Sequence, residues 1–282
     1  MKKERIDILV VSQGLTASRE QAKRLIMAGQ VLDLNGQRYD KPGEKIDATT
    51  ELKVKGEVLR YVSRGGLKLE KALDVFEVSA EDKILLDVGA STGGFTDAAL
   101  QHGAKKSYAL DVGYNQLAWS LRQDPRVVVM ERENFRYTTP ELFKEGTPNF
   151  VSIDVSFISL RLILPPVLLV TEPDSDVLAL IKPQFEAGRE NVGKNGIVKD
   201  PQIHEQVLRH ILTFAQQSGF VIKGLTFSPI TGGEGNIEFL VHLKTPSVST
   251  EVTPDNPDIS LSDEWAETIK SVMNEAYREL RS

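Results

Sequence analysis

The 282-residue chain contains no cysteine. That removes disulfides, thiolate nucleophiles and thiolate metal sites, so any chemistry here rests on oxygen and nitrogen side chains. Histidine is nearly as scarce: His102, His204, His210 and His242 are scattered without a metal-ligand spacing, and no metal site is expected. His204 and His210 lie six apart in a helical stretch and read as surface residues. Also missing is any tract of about 18 apolar residues, the length that spans a bilayer, so no membrane partner is expected. MKKERIDILVVSQGL has a basic start but only ILVV as its apolar run, short of the roughly 7–15 residues of a secretory signal. A cytoplasmic, soluble globular protein is expected.

What is present is distributed unevenly. A net charge of −6 argues against wholesale coating of nucleic acid, yet residues 1–71 carry 15 Lys/Arg against 10 Asp/Glu, net +5, while the other 211 carry 19 against 30, net −11. A basic head on an acidic body points to an anionic partner for the head. Within the head, Ser18 can cap a helix, answered by Gln21 three residues on. Arg19, Lys23 and Arg24 then cluster on one face, and Ala22, Leu25 and Ile26 supply the buried one. Asn35-Gly36 between two short alternating runs signals a hairpin, and LKVK at 52–55 offers a further strand.

Beyond residue 60 the pattern changes to strands alternating with helices. ILLDV (84–88), SYALDV (107–112), VVVM (127–130), FVSIDV (150–155) and VLALI (177–181) precede a helix near 201–218 and two late strands, 220–227 and 237–243. Such alternation predicts an α/β, doubly wound, mostly parallel sheet. IEFLVHL alternates as an antiparallel edge strand would. Residues 246–261, rich in Ser, Thr, Asp and Pro, read as a linker. A terminal helix carrying Trp265, Ile269, Val272, Ala276 and Leu280 at helical spacing should dock on the body.

LLDVGASTGGFTDAAL (85–100) reads as strand, glycine-rich turn and helix. Gly89, Gly93 and Gly94 would let the backbone pass close to a ligand, but the spacing is neither G-x-G-x-x-G nor a P-loop. Asp87 near the strand end would welcome a cation and repel a pyrophosphate. Asp111, closing the next strand, is placed to grip ribose hydroxyls. A nucleoside carrying positive charge suits both, and S-adenosyl-L-methionine is such a molecule. The contacts expected from the turn are Asp87, Gly89, Ala90, Ser91, Gly93, Gly94 and Phe95, joined by Asp111 and, on the adenine side, Asn134. Single residues also have structural readings: Asp87 could cap the turn, and Gly93 and Gly94 could serve helix packing.

Lys182 ends the apolar run VLALIKP, at the edge of an α/β sheet that lines the ligand crevice. Asp154 ends the fourth strand, Glu238 lies in the last, and Lys68 falls off the Leu69, Leu73, Phe76 stripe of its helix. The glycine-interrupted stretch FEAGRENVGKNGIVKD (185–200), with Arg189, Lys194 and Lys199, could close over a bound polyanion or be no more than a loose loop.

Residues 4–55 resemble the S4 RNA-binding domain. The stretch around the glycine turn resembles motif I of the class I methyltransferases. The order Lys68, Asp154, Lys182, Glu238 resembles the tetrad of the FtsJ-type RNA ribose methyltransferases. With SRGGLKL, DVGASTGGF, DVGYNQLAWSL, IDVSFISL and IKPQFE, the chain is identified as a member of the hemolysin A / TlyA family, from Lys3 to Lys244. The resemblance implies a small α+β S4 domain (1–60), a Rossmann-like FtsJ-type domain (61–246), and a linker with a C-terminal helix (247–282). It further implies S-adenosyl-L-methionine as cofactor, ribosomal RNA or its subunits as partner, and 2′-O-methylation of cytidine. Arg19, Lys23, Arg24 and Lys194 would then meet RNA, and Lys182 would act as general base. A cytolysin, suggested by the family name, and an RNA-binding assembly factor with an inactive methyltransferase fold are the competing classes.

Overall fold

The structure is a computed structural model and describes residues 3–16, 18–27, 29–55, 60–247 and 260–281. The expected linker lies mostly outside them. Backbone contacts divide the chain into two units, Met1–Arg60 and Tyr61–Ser282.

In the first unit, β1 (Lys3–Arg5) leads into α1 (Ile6–Ser12) and α2 (Arg19–Met27), then β2 (Val31–Asp33), β3 (Arg38–Tyr39), β4 (Lys45–Asp47) and β5 (Leu52–Val54). Ser18 caps α2 as expected, its Oγ accepting from the Gln21 amide at 3.3 Å. β2 pairs antiparallel with β3 across the Asn35-Gly36 turn, where Gly36 takes φ +87, and with β5 on its other side. β1 pairs with β4. A small core of Ile6, Val10, Ala22, Ile26 and Val31 closes the unit.

The second unit runs α3 (Gly65–Phe76), β6 (Ile84–Val88), α4 (Gly94–Gln101), β7 (Lys106–Asp111), α5 (Trp119–Arg122), β8 (Val127–Glu131), β9 (Phe150–Ile153), α6 (Leu164–Val170), β10 (Asp176–Ile181), α7 (Pro183–Glu186), α8 (Pro201–Gln217), β11 (Val221–Phe227), β12 (Phe239–Lys244) and α9 (Asp263–Leu280). The sheet order is β11-β12-β10-β9-β6-β7-β8, parallel from β8 to β10. Strand residues alternate between two cores: Leu86, Val177 and Ala179 pack on the side of α6, α8 and α9, and Leu85, Leu178 and Leu180 on the side of α3 and α4. Both faces are covered, which is why these strands read as unbroken apolar runs. The terminal helix docks as expected, burying Ile269, Val272, Met273 and Ala276. No helix among the described residues is long and apolar enough to cross a membrane.

One strand departs from expectation. β12 is antiparallel but not an edge: it lies between β10 and β11, with Phe239–Leu243 all buried. The alternation came from Glu238, just ahead of the strand, and His242. Both are buried on partners instead of facing water: Lys68 for the first and Asp176, at 2.9 Å, for the second.

Candidate active site

The strand order reverses at β6, which has β7 on one side and β9 on the other, so a crevice opens above the carboxyl ends of these strands. Gly89 follows β6 with φ +85, and a Cβ there would stand 2.5 Å from the Asp154 carbonyl oxygen. Only glycine lets the two loops approach this closely. Ala90, Ser91, Gly94 and Phe95 join Gly89 in lining a cavity of about 380 Å³, which also holds Lys68, Asp154 and Lys182. A neighbouring cavity of about 290 Å³ is lined by Leu110, Asp111, Val112, Asn134, Phe135 and Ile163. Gly89, Ser91, Asp154 and Ser156 belong to both. The Asp111 carboxylate accepts from the Ser91 and Gly113 amides, each at 2.7 Å. Asn134 accepts from the Arg136 amide, capping a short turn over Phe135–Tyr137.

Two residues expected at the ligand are set back from these walls. Asp87 is fully buried and accepts from the Thr96 amide (3.0 Å), the Thr96 hydroxyl (2.8 Å) and the Ser152 hydroxyl (2.8 Å). It therefore anchors the start of α4 to the sheet and lines neither cavity. Burial pushes its pKa up to about 6, opposed by the bonds from Thr96 and Ser152. Gly93 packs against protein as well: a Cβ there would collide with Leu117 and Leu121.

The four charged residues converge from four places in the chain. Lys182 Nζ lies 2.5 Å from Asp154 Oδ1, and Lys68 Nζ lies 2.7 Å from Glu238 Oε2 and 3.8 Å from Asp154 Oδ2. The result is an alternating chain, Lys182–Asp154–Lys68–Glu238, with no net charge. Alternation matters because Lys182 is 9%, Lys68 8% and Glu238 2% exposed, and an unpaired charge so buried would be costly. Lys68 is off the apolar stripe of α3 but not off the buried face. Asp154 and Lys182 each sit one residue past the end of a strand, β9 and β10.

Three contributors were not foreseen. The Ser156 hydroxyl accepts from Lys182 Nζ at 3.0 Å, and Gln184 Nε2 donates to Glu238 Oε1 at 3.3 Å. Asn236 donates to the carbonyls of Gly196 and Gly233 (2.9 and 3.1 Å) and accepts from the Val198 amide (3.0 Å). Ser156 and Gln184 sat inside motifs already noted, yet nothing local distinguishes them from loop residues. Through Asn236, and through Glu186, which accepts from Ser159 Oγ at 2.6 Å, the 185–200 stretch is tied to the body. Lys194 stands exposed on it.

In the first unit, Arg19 is not a free cation. Its guanidinium lies 2.8 Å from the buried carboxylate of Asp7, which also accepts from Arg5 at 3.0 Å. The bonds from Arg5, then Arg19, outweigh burial and hold Asp7 at about 2. Lys23 has a weak 4.0 Å pairing with Glu20 and remains half exposed.

His204 also departs from expectation, being fully buried on α8 and hydrogen-bonded to the Tyr277 hydroxyl of α9. Burial, then the charge of Arg281, pushes it down to about 4. It and Asp87 bias stability in opposite senses over one range. Asp87 binds its proton more tightly when folded, so its contribution is present at low pH and lost as pH rises from about 4 to about 6. His204 resists protonation when folded, so its contribution is lost as pH falls from about 6.5 to about 4. Relative to the parent, Asp87→Asn should gain stability on going from pH 4 to 6, and His204→Gln on going from pH 6 to 4, each by about 3 kcal/mol at most. Urea denaturation at pH 4, 5, 6 and 7 reads both; pH-independent differences would contradict these assignments.

Residues 61–245 match the FtsJ-like methyltransferase family and residues 4–52 the S4 domain. YqxC of Bacillus subtilis, named as a candidate rRNA methyltransferase, is 65% identical over 250 residues, covering 89% of each chain. Hemolysin A of Brachyspira hyodysenteriae is 45% identical, over 84% of this chain and 98% of that one. The Mycobacterium tuberculosis protein TlyA, named a 16S/23S rRNA (cytidine-2′-O)-methyltransferase, is 44% identical, over 86% of this chain and 91% of its own. A solved structure of a candidate hemolysin from Streptococcus thermophilus is 58% identical and superposes with a TM-score of 0.73, covering 100% of this chain and 98% of that one.

Proposed function

The chain belongs to the FtsJ-like methyltransferase family, with an S4 domain ahead of the methyltransferase unit, and from that premise we propose that it transfers a methyl group from S-adenosyl-L-methionine to the 2′-hydroxyl of cytidine in ribosomal RNA. The observation that carries this reading is Lys182, 9% exposed on the wall of the 380 Å³ cavity and ion-paired to Asp154. The neighbouring relatives' names supply the substrate class.

The residues present fit this cofactor. The smaller cavity is walled by Leu110, Val112, Phe135 and Ile163 and suits an adenine, and Asp111 lies along the same wall. Each Asp111 oxygen accepts one backbone amide and keeps a lone pair for a ribose hydroxyl. When bound, the cofactor supplies an electrophilic sulfonium methyl. A ribose hydroxyl is a weak nucleophile near neutral pH, so Lys182 in its neutral form takes the proton as the oxygen attacks. Asp154 holds the Lys182 amine in place, and Lys68, neutralised by Glu238 and Asp154, steadies that carboxylate. Because Lys182 takes the proton while the positive charge leaves sulfur, the crevice gains no net charge in the step.

Asp111→Ala should weaken cofactor binding about 10–100-fold through loss of charge-assisted hydrogen bonds. Calorimetry on the RNA-free protein tests this, and unchanged affinity would remove Asp111 from the ribose grip. The head is assigned to RNA capture through Lys23 and Arg24, with Lys194 contributing from the body. Neutralising Lys23 and Arg24 while leaving Arg19 on Asp7 should reduce the salt dependence of RNA affinity, each lost phosphate contact lowering the slope by roughly 0.7–0.9. An unchanged slope would mean that the head holds RNA by another face. The overall reading is tested by incubating the protein with labelled cofactor and ribosomal subunits and mapping the label to ribose. Intact cofactor and RNA binding without transfer would leave an RNA-binding role instead.

A further inference from the structure

Ser156 occupies an unusual position in the site. It lines both cavities described above and a third, of about 350 Å³, bounded by Lys182, Gln184, Phe185 and Glu238. Its Oγ accepts a hydrogen bond from Lys182 Nζ at 3.0 Å, whereas Asp154 Oδ1, 2.5 Å from the same nitrogen, is an ion-pair contact outside hydrogen-bond geometry. Among the described residues Ser156 Oγ is thus the directed acceptor that Lys182 has.

An sp³ nitrogen has four directions, one of which is taken by Cε. The hydrogen bond to Ser156 fixes rotation about Cε–Nζ, and the Asp154 carboxylate, close by but not aligned as an acceptor, draws the second N–H to its side by charge, which leaves the third direction to the lone pair of the neutral amine. Without Ser156 nothing directional stops the amine rotating, and the lone pair points the wrong way part of the time. We propose that Ser156 is a positioning residue that completes this clamp, fixing the Lys182 lone pair towards the ribose hydroxyl. The inference rests on Lys182 being the base. In the step it serves, the hydroxyl proton moves to Nζ while the ribose oxygen forms its bond to the methyl carbon and the carbon–sulfur bond breaks. The products are the methyl ether, the thioether and a lysine ammonium. Phe157, directly after Ser156, sits at φ +64, and its exposed ring lies 4.9 Å from that of Phe185, three residues past Lys182, a contact that links the two loops.

The test compares Ser156→Ala and Ser156→Thr in the parent and in a Lys182→Ala background, using single-turnover methyl transfer to ribosomal subunits together with cofactor Kd and RNA KM. Ser156→Ala should lower the transfer rate by roughly 10–100-fold, as expected for a misoriented catalytic group. Cofactor Kd and RNA KM should stay within about twofold, since uniform binding is untouched. Threonine, which keeps the hydroxyl, should restore most of the rate. In the Lys182→Ala background, Ser156→Ala should change nothing further, because a residue acting through Lys182 has nothing left to orient. A parental rate in Ser156→Ala, a loss confined to cofactor Kd or RNA KM, a threonine variant no better than alanine, or an equal loss without Lys182 would each overturn the assignment. The two readings separate cleanly: transfer that survives Lys182→Ala defeats the base, whereas a dead Lys182→Ala beside a fully active Ser156→Ala defeats only the clamp.

Discussion

Replacing Lys182 with alanine should lower single-turnover methyl transfer by roughly 10²–10⁴-fold while cofactor affinity stays within about twofold. The two effects separate because Lys182 lies outside the cavity assigned to the adenosine, whose walls are Leu110, Asp111, Asn134 and Phe135. Alanine removes both a base and a charge, so a second variant is needed to tell them apart. Lys182→Arg keeps the positive charge beside Asp154, but a guanidinium is never neutral at working pH and cannot accept the proton. It should be as inactive as alanine. Substantial transfer by Lys182→Arg would show that the site needs only a cation here, and the base would have to be sought elsewhere.

Glu238→Ala should be inactive and also destabilise the second unit by about 3 kcal/mol, because removing one partner of a buried ion pair strands the other. The stranded group is Lys68, 8% exposed, whose remaining counter-ion, Asp154, is 3.8 Å away and shared with Lys182. Lys68→Met combined with Glu238→Leu removes both charges at similar volume and should recover most of that stability, since replacing a whole buried pair with apolar residues is often neutral or better. Activity should not return with it. Urea denaturation and the transfer assay thus move together in the single variant and apart in the double one. A double variant that is both stable and active would reduce the pair to a structural role, and a single variant as stable as the parent would mean the ammonium finds water.

Much of this was legible along the chain because it depends on local periodicity. The unbroken run VLALI suits a strand covered on both sides, Pro183 should stop it, and the lysine between them is thereby delivered to the crevice edge. The same logic placed Asp154 after FVSI and Asp111 at the end of SYALD. Asn35-Gly36 marked its hairpin through the positive φ, +87, that Gly36 adopts without strain.

Partnership was not legible in this way, since a hydrogen bond across the fold leaves no spacing in the sequence. Asp87 and Gly93 sit in the right motif for ligand contact, but Thr96, Ser152, Leu117 and Leu121 claim them, and whether a strand-end carboxylate faces a cavity or a helix start is decided by packing alone. Arg19 looked like its neighbours Lys23 and Arg24 until Asp7, twelve residues earlier, took its guanidinium. Glu238 read as an edge residue because alternation reports polarity, not its destination; Lys68, 170 residues away, makes its burial tolerable. Ser156 carried no signal, as a serine acquires meaning here only from the lysine that β10 brings 3.0 Å from its hydroxyl. The order of the strands decided that meeting, because placing β9 between β6 and β10 set two chain segments side by side that the sequence holds apart.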